Sequence, residues 1–104
     1  MANYLLIYHG GGDMPEDPAV LASEMEAWTN WFAQIGPAVV DGGNPVGRNW
    51  TITAEGTTED GGPNPATGYS VISADSMQRA LELSLGCPAL ANGGSIELCE
   101  TFDV

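Results

Sequence analysis

The chain has 104 residues, which is the length of one small domain with a single hydrophobic core. Its 14 Asp and Glu residues stand against two basic residues, Arg48 and Arg79, so the formal net charge is −12. A chain with this charge repels a phosphate backbone and an anionic membrane surface, which excludes nucleic acid and membranes as partners. The excess of acidic residues is typical of a protein that its charge keeps soluble. The alternative is an acidic face that binds a basic protein.

The beginning of the sequence bears on the location of the protein. Residues 4–8 are apolar, but no basic residue precedes this run, and a signal peptide has a longer apolar run with a positive flank. No stretch has the length of a membrane span. We therefore expect a cytoplasmic protein in which Cys87 and Cys99 are reduced thiols.

The first half of the sequence predicts a strand and a helix. Residues 3–9 are apolar at both odd and even positions, which indicates a central strand that is covered on both faces. The helix is predicted to begin at Asp17-Pro18, an N-cap carboxylate followed by proline, and to end at Gly36-Pro37. Its apolar stripe is predicted to consist of Leu21, Met25, Trp28, Phe32 and Ile35.

The second half predicts strands interrupted by one helix. Its predicted elements are a short strand over 38–41, a half-buried strand over 49–54, a loop over 55–66, a strand over 67–74, a helix over 76–85 and a strand over 95–101. In the strand over 49–54, Trp50, Ile52 and Ala54 alternate with threonines and are expected to face the core. Asp75 is expected to cap the helix. The side chains expected to point inward from this helix are Met77, Ala80, Leu81 and Leu85.

The predicted order is β-α-β-β-β-α-β within a single domain over residues 1–104. Without one short hairpin strand, this is the order of the ferredoxin-like split βαβ fold, an α+β fold with an antiparallel sheet and two helices on one face. The other face would be apolar and exposed in a monomer, which is unfavourable in water. Two copies that stack these faces would close a dimeric α-β barrel, so we expect a homodimer with two-fold symmetry.

A series of short motifs runs along nearly the whole chain. The motifs are the strand at 4–8, the helix end at 28–36, the turn at 42–45, Asp60-Gly61-Gly62-Pro63, Tyr69, Asp75-Ser76, Ala80-Leu81, Cys87-Pro88 and Glu97. Their order resembles the YCII-related, or DGPF-type, family of small dimeric α+β barrel proteins. The resemblance implies the same dimeric fold, and the general function of that family is not settled.

Several positions depart from the pattern of that family. In the Asp-Gly-Pro-Phe signature, Gly62 is inserted and Asn64 stands where the aromatic residue would be. Some members carry a histidine on the first helix with an aspartate as its proposed catalytic partner, and Met25 stands at or near that position here. Leu98-Cys99 replaces the usual arginine of the last strand. The activity proposed for those members is therefore not expected to carry over.

His9, the only histidine in the sequence, is the main candidate for catalysis. It ends the first predicted strand, and a histidine in a pocket can act as a general base because it exchanges protons near neutral pH. Asp41 or Asp60 is expected to be its catalytic partner, and Asp13 is a further acidic neighbour that could orient it. The alternative is a histidine at a strand end that contacts solvent.

Aromatic side chains predict a small-molecule pocket between helix and sheet. Tyr8, Trp31 and Tyr69 are the expected ligand-binding residues, and the alternative is ordinary core and dimer interface. Trp28 lies on the helical stripe and is expected in the core, whereas Trp31 lies toward the edge of the stripe. The histidine and the two cysteines lack metal-ligand spacing, so we expect no metal and no cofactor.

These patterns predict a small-molecule binding or enzymatic domain whose reaction the sequence does not specify. The alternative is a non-catalytic protein-interaction or regulatory accessory module.

Overall fold

The computed structural model describes residues 1–12 and 15–104. Its strands are β1 (Ala2–His9), β2 (Val39–Asp41), β3 (Thr51–Thr53), β4 (Gly56–Thr58), β5 (Ala66–Ala74) and β6 (Ser95–Glu100), and its helices are α1 (Pro18–Ile35) and α2 (Met77–Ser84). Short 3-10 turns lie at Gly36–Ala38 and Pro88–Gly93. No helix in the described part of the chain is long and apolar enough to cross a membrane.

Four strands form an antiparallel sheet in the order β2-β5-β1-β6. The first strand lies at the centre of the sheet, with Leu6 opposite Ser70 of β5 on one side and opposite Leu98 of β6 on the other. The chain is therefore a small α+β protein with an antiparallel sheet, as the sequence predicts.

The core lies on one face of this sheet. Alternate residues of β1 and β5 are buried there, and Trp31, Ile35 and Ala80 of the two helices pack into the same cluster. The side chains of the strands that form this cluster are Tyr4, Leu6, Tyr8, Ile72 and Ala74. Both helices therefore cover the same side of the sheet.

The opposite side of the sheet carries half-buried apolar side chains. Leu5 lies opposite Val71 and Cys99, and Ile7 lies opposite Tyr69, so these five side chains share one surface, which we call the open face. All five are half-buried in the single chain. The expectation that the first strand is covered on both faces is therefore met on the helical side only.

Local chemistry explains how α1 begins and ends. The Asp17 carboxylate accepts a hydrogen bond from the backbone N–H of Ala19 at 2.9 Å, and Pro18 occupies the first helical position. Gly36 ends the helix with a φ of 51°, a backbone conformation that residues other than glycine rarely adopt. The predicted stripe is only partly correct, because Met25 is 62% exposed and the buried residues lie in the last two turns.

The second helix begins one residue later than predicted. Ser76, and not Asp75, is its N-cap, and the Ser76 hydroxyl accepts from the backbone N–H of Arg79 at 3.1 Å. Ala80 is buried as expected, but Met77, Leu81 and Leu85 are exposed, which corrects their predicted inward orientation. The helix is short, and it rests on the sheet mainly through its smallest side chains, Ala80 and Ser84.

The strand predicted at 49–54 does not join the main sheet. Instead, β3 pairs with β4 in a separate two-stranded hairpin, and β4 lies in a stretch predicted to be a loop. Trp50 is 52% exposed and Ile52 is 77% exposed, so the prediction that they face the core is wrong. Alternation predicts a strand, but it carries no information on which sheet the strand enters.

The molecule is flat. Its principal extents are 44 × 41 × 19 Å, and its radius of gyration is 14.9 Å, against about 13 Å for a compact domain of this length. Its accessible surface of 7011 Å² exceeds the roughly 5500 Å² of a compact monomer of this mass. The excess comes from a two-layer arrangement with one uncovered sheet face and a protruding hairpin.

Candidate functional site

His9 lies at the end of β1, beside the open face, and both of its ring nitrogens have partners. Nδ1 is 3.2 Å from the carbonyl oxygen of Pro65, and Nε2 is 3.2 Å from Oε1 of Glu97. The His9 side chain is only 11% exposed, whereas that of Glu97 is 60% exposed. A nearly buried imidazole is thus held between one fixed acceptor and one solvent-facing carboxylate.

The two partners determine which form of the ring fits the geometry. A carbonyl oxygen and an ionised carboxylate both accept hydrogen bonds and donate none. The imidazolium ion donates from both nitrogens, whereas a neutral imidazole donates from one only. The His9 ring therefore donates to at least one of these two acceptors, and its tautomer decides which one.

The loop that contains the Asp-Gly-Gly-Pro motif holds the Pro65 carbonyl in place. A Cβ atom added to Gly61 would lie 2.6 Å from Cβ of Pro65 and 3.0 Å from Cβ of Asn49, so only glycine fits at this close approach. Asp60 stabilises the turn at residues 60–62, because its carboxylate accepts a hydrogen bond from the backbone N–H of Gly62 at 2.9 Å. Asp60 thus shapes the loop, and its hydrogen bond is not to His9.

Asp41 has a similar local role. Its carboxylate accepts from the backbone N–H of Gly43 at 2.8 Å, in the turn that leaves β2. Its register places it opposite Val71, next to the open face. In the described residues the carboxylate bonded to His9 is that of Glu97, rather than Asp41 or Asp60. Asp13, the further acidic neighbour expected near His9, lies outside the described residues.

Tyr69 lies on the open face, opposite Ile7 in the register of β1 and β5. Its hydroxyl accepts from the side-chain amide of Asn44 at 3.4 Å. Of the three predicted ligand-binding residues, it is the one that shares the open face with the His9 end of the sheet.

Tyr8 points to the opposite side of the sheet, into the core. Its hydroxyl donates to the Ser70 hydroxyl at 2.7 Å, which in turn donates to the Gly42 carbonyl at 2.7 Å. Burial raises the pKa of Tyr8 well above its ordinary value. The Tyr8 ring packs edge-on against the Trp28 ring, with 5.2 Å between the ring centroids. Tyr8 therefore joins β1, β5 and the β2 turn inside the core.

Trp31 is also on the helical side, at a distance from His9 across the sheet. It is 3% exposed, and its indole N–H donates to the carbonyl of Leu83 at 3.1 Å, which ties α1 to α2. Trp31 also forms one wall of an open cleft of about 420 Å³ between the two helices, where Arg79 pairs with Glu82 at 3.1 Å. Trp28, expected to be the more buried tryptophan, is the less buried of the two.

Glu97 and Cys99 are site residues to which the sequence analysis gives no role in the site, although it names Glu97 as a motif and Cys99 as a reduced thiol. The Cys99 thiol lies 3.8 Å from Oε2 of Glu97, so one carboxylate contacts both the histidine and the thiol. Partial burial, followed by the charge of Glu97, raises the pKa of Cys99, which opposes the reactive thiolate. The alternation of β6 could have identified these two residues, because it places Glu97 and Cys99 on the side of the strand opposite Ile96 and Leu98.

Side chains of the types that bind metals are dispersed in the part of the chain that the structure describes. No group of three or more His, Cys, Asp or Glu side chains lies close enough there to hold a metal ion. Comparisons with the models of known protein families and with curated proteins found no match to this chain. The site is therefore defined by its own geometry.

Proposed function

We propose that this chain is a small-molecule binding or enzymatic domain with a ferredoxin-like fold, similar to the YCII-related proteins. The strand order β2-β5-β1-β6, with antiparallel neighbours and one helix after β1 and another after β5, supports this proposal. The hairpin of β3 and β4 is an insertion between the second and third strands of that pattern. Two free cysteines in the structure support a reducing, cytoplasmic location.

The working form that we propose is a homodimer in which two open faces stack into a barrel. The open face carries apolar side chains at the centre of the sheet, where a monomer would leave them against water. The accessible surface exceeds that of a compact monomer by roughly 1500 Å², and a standard interface covers about 800 Å² on each partner. An interface of standard size with a second copy would therefore cover about half of this excess.

The site that we propose for the ligand is the His9–Glu97 pair at the edge of the open face. The observation that carries the proposal is the nearly buried His9 ring, with Pro65 and Glu97 acceptors on its two nitrogens. In this proposal a ligand oxygen replaces Glu97 Oε1 at Nε2 of His9, and the freed Glu97 carboxylate accepts a hydrogen bond from the ligand. Glu97 thus takes the partner role that is predicted above for Asp41 or Asp60. Small polar molecules with a carbonyl or carboxylate group fit this chemistry.

A fragment screen by ligand-observed NMR tests the assignment. The probe set is a panel of small carbonyl compounds and carboxylic acids, screened against the wild type, His9→Gln, Glu97→Gln and the matched control Asp60→Asn. We expect binders whose signals are lost in both site variants and kept in the control. If every binder of the wild type also binds His9→Gln and Glu97→Gln, the ligand site is not at this pair.

A non-catalytic interaction or accessory module is the second candidate. The observation that favours it is that the predicted site residues lie on different sides of the sheet. Trp31 and its cleft lie on the helical side, whereas His9 and Tyr69 lie on the other side. A panel without any binder at the His9 site, together with a salt-sensitive complex with a basic protein, would favour this second function.

A further inference from the structure

The two nitrogens of the His9 ring face acceptors of different kinds. The acceptor at Nδ1 is the backbone carbonyl of Pro65, and the acceptor at Nε2 is the side-chain carboxylate of Glu97, each at 3.2 Å. A neutral imidazole has a hydrogen on one nitrogen and a lone pair on the other, so it donates to one of these acceptors only. Its lone pair then faces the other acceptor, and that acceptor has to move away.

The Pro65 carbonyl is held by the backbone around it. It lies directly before β5, where His9 pairs with Ala66 across the register shift of β1. The Asn49 side-chain amide donates to the carbonyl of Ala66 at 3.1 Å and so anchors the residue that follows Pro65. Gly61 approaches Pro65 so closely that an added Cβ would lie 2.6 Å from the Pro65 Cβ. The carbonyl can therefore leave Nδ1 only if this packed backbone shifts.

The Glu97 carboxylate, by contrast, can rotate into solvent. Its side chain is 60% exposed, whereas that of His9 is 11% exposed. A hydrogen bond to an ionised acceptor is the stronger one in a dry site, but water competes for a carboxylate at the surface, and exposed pairs contribute little. Rotation of Glu97 therefore costs less free energy than displacement of the Pro65 backbone. The neutral ring thus keeps its hydrogen on Nδ1 and gives up the contact with Glu97.

We propose that the loop at residues 61–65 fixes the neutral His9 ring as the tautomer with its hydrogen on Nδ1. Nε2, on the side of β6, is then the nitrogen that takes up and releases a proton. Gly61 is a positioning residue in this arrangement, since it acts on the ring through the Pro65 carbonyl. No ligand takes part in this assignment, which can be tested separately from the ligand site proposed above.

The charged partner of the ring, among the described residues, is Glu97. The residues opposite His9 on β5 and β6 are Ala66 and Ser95, which carry no charge. The second oxygen of Glu97 lies 3.8 Å from the Cys99 thiol. When Nε2 takes up a proton, the imidazolium donates to both acceptors, and the contact with Glu97 forms. The ring therefore has one nitrogen with a structural role and one that exchanges its proton.

Long-range ¹⁵N correlation spectra of the imidazole test the proposal, and the single histidine of the chain gives a single ring to follow. In a neutral ring, the nitrogen with the hydrogen and the nitrogen with the lone pair have widely separated ¹⁵N shifts. Above the pH at which the ring titrates, we expect the hydrogen on Nδ1 and the lone pair on Nε2. A free histidine carries its hydrogen mostly on Nε2, so the pattern of free histidine in the wild type would overturn the proposal.

Variants of the loop test the positioning role in the same spectra. Gly61→Ala and the matched control Gly47→Ala add the same atom, but nothing lies within 4 Å of a Cβ at Gly47. We expect Gly61→Ala to move the His9 ¹⁵N shifts toward those of free histidine and Gly47→Ala to leave them unchanged. Asn49→Ala loosens the same carbonyl without added volume and gives the same reading if Gly61→Ala does not fold. Glu97→Gln should keep the hydrogen on Nδ1. Wild-type shifts in both loop variants, or a hydrogen on Nε2 in Glu97→Gln, would show that the loop does not fix the tautomer.

Discussion

Two neighbouring glycines in the turn after β2 should respond very differently to alanine. Gly43 has a φ of 75°, and a Cβ atom there would overlap the carbonyl oxygen of Tyr69 on β5. At Gly42 the nearest atom to an added Cβ is the Phe32 ring at 3.6 Å, an ordinary contact distance. Gly43→Ala and Gly42→Ala therefore form a matched pair, with the same added atom one residue apart.

The cost of Gly43→Ala follows from what the turn must give up. The left-handed backbone costs an alanine about 1–2 kcal/mol. To relieve the overlap, the turn must move away from β5, which breaks the hydrogen bonds from Tyr69 N to the Asn44 carbonyl at 3.2 Å and from the Ser70 hydroxyl to the Gly42 carbonyl at 2.7 Å. Each lost bond costs about 1 kcal/mol, so the sum is roughly 3–4 kcal/mol, a large fraction of the stability of a small domain.

Urea unfolding followed by tryptophan fluorescence measures both variants. We expect Gly43→Ala to lower the free energy of unfolding by about 3 kcal/mol or more, and Gly42→Ala to change it by less than about 1 kcal/mol. Equal midpoints with equal slopes for the two variants would refute the reasoning, because they would mean that the turn does not pack on Tyr69.

Three further predictions concern the core. Tyr8→Phe removes the buried hydroxyl that donates to Ser70 and should lower the free energy of unfolding by about 1 kcal/mol, whereas Tyr69→Phe should change it by less than about 0.5 kcal/mol in the same urea assay. Burial raises the pKa of Tyr8 above 10.0 and that of Cys87 above 9.0, so the unfolded chain releases these protons at lower pH than the folded chain. The free energy of unfolding should therefore be full below pH 9 and should fall as the pH rises through 9 and 10. The fall should be shallower for Tyr8→Phe. A flat alkaline profile of the urea midpoint would contradict this sign. Cys87, which is buried, should react with iodoacetamide only as the chain unfolds, and peptide mass spectrometry over a urea series detects its labelling.

The parts of the fold that depend on neighbouring residues could be predicted from the sequence. The start of α1 at Asp17-Pro18 and its end at Gly36 follow from capping chemistry within a few residues. Capping also explains the error at α2, because Asp75 and Ser76 are adjacent and both are good N-cap residues. The apolar residues at both odd and even positions of β1 correctly indicated a central strand.

The parts that depend on register could not be predicted in the same way. His9 meets Glu97 only because β1 pairs with β6, which lies 88 residues further along the chain. Before that pairing is known, the sequence offers Asp41 and Asp60 as partners of His9 on an equal footing with Glu97. Trp50 and Ile52 were assigned to the core because alternation does not distinguish a strand of the main sheet from one of a protruding hairpin.

The central position of β1 has a consequence for how the protein folds. Of the described strands, β1 comes first in the sequence, and it forms its two ladders with β5 and β6, the last two of them. The pairing continues past β6, since the hydroxyl of Thr101 donates to the carbonyl of Asn3 in β1 at 2.8 Å. Such non-local pairing makes loop closure the slow step and gives slow folding for a chain of this size. Until β6 has been synthesised, one edge of this apolar strand stays unpaired, so the nascent chain is most vulnerable to aggregation before β6 emerges.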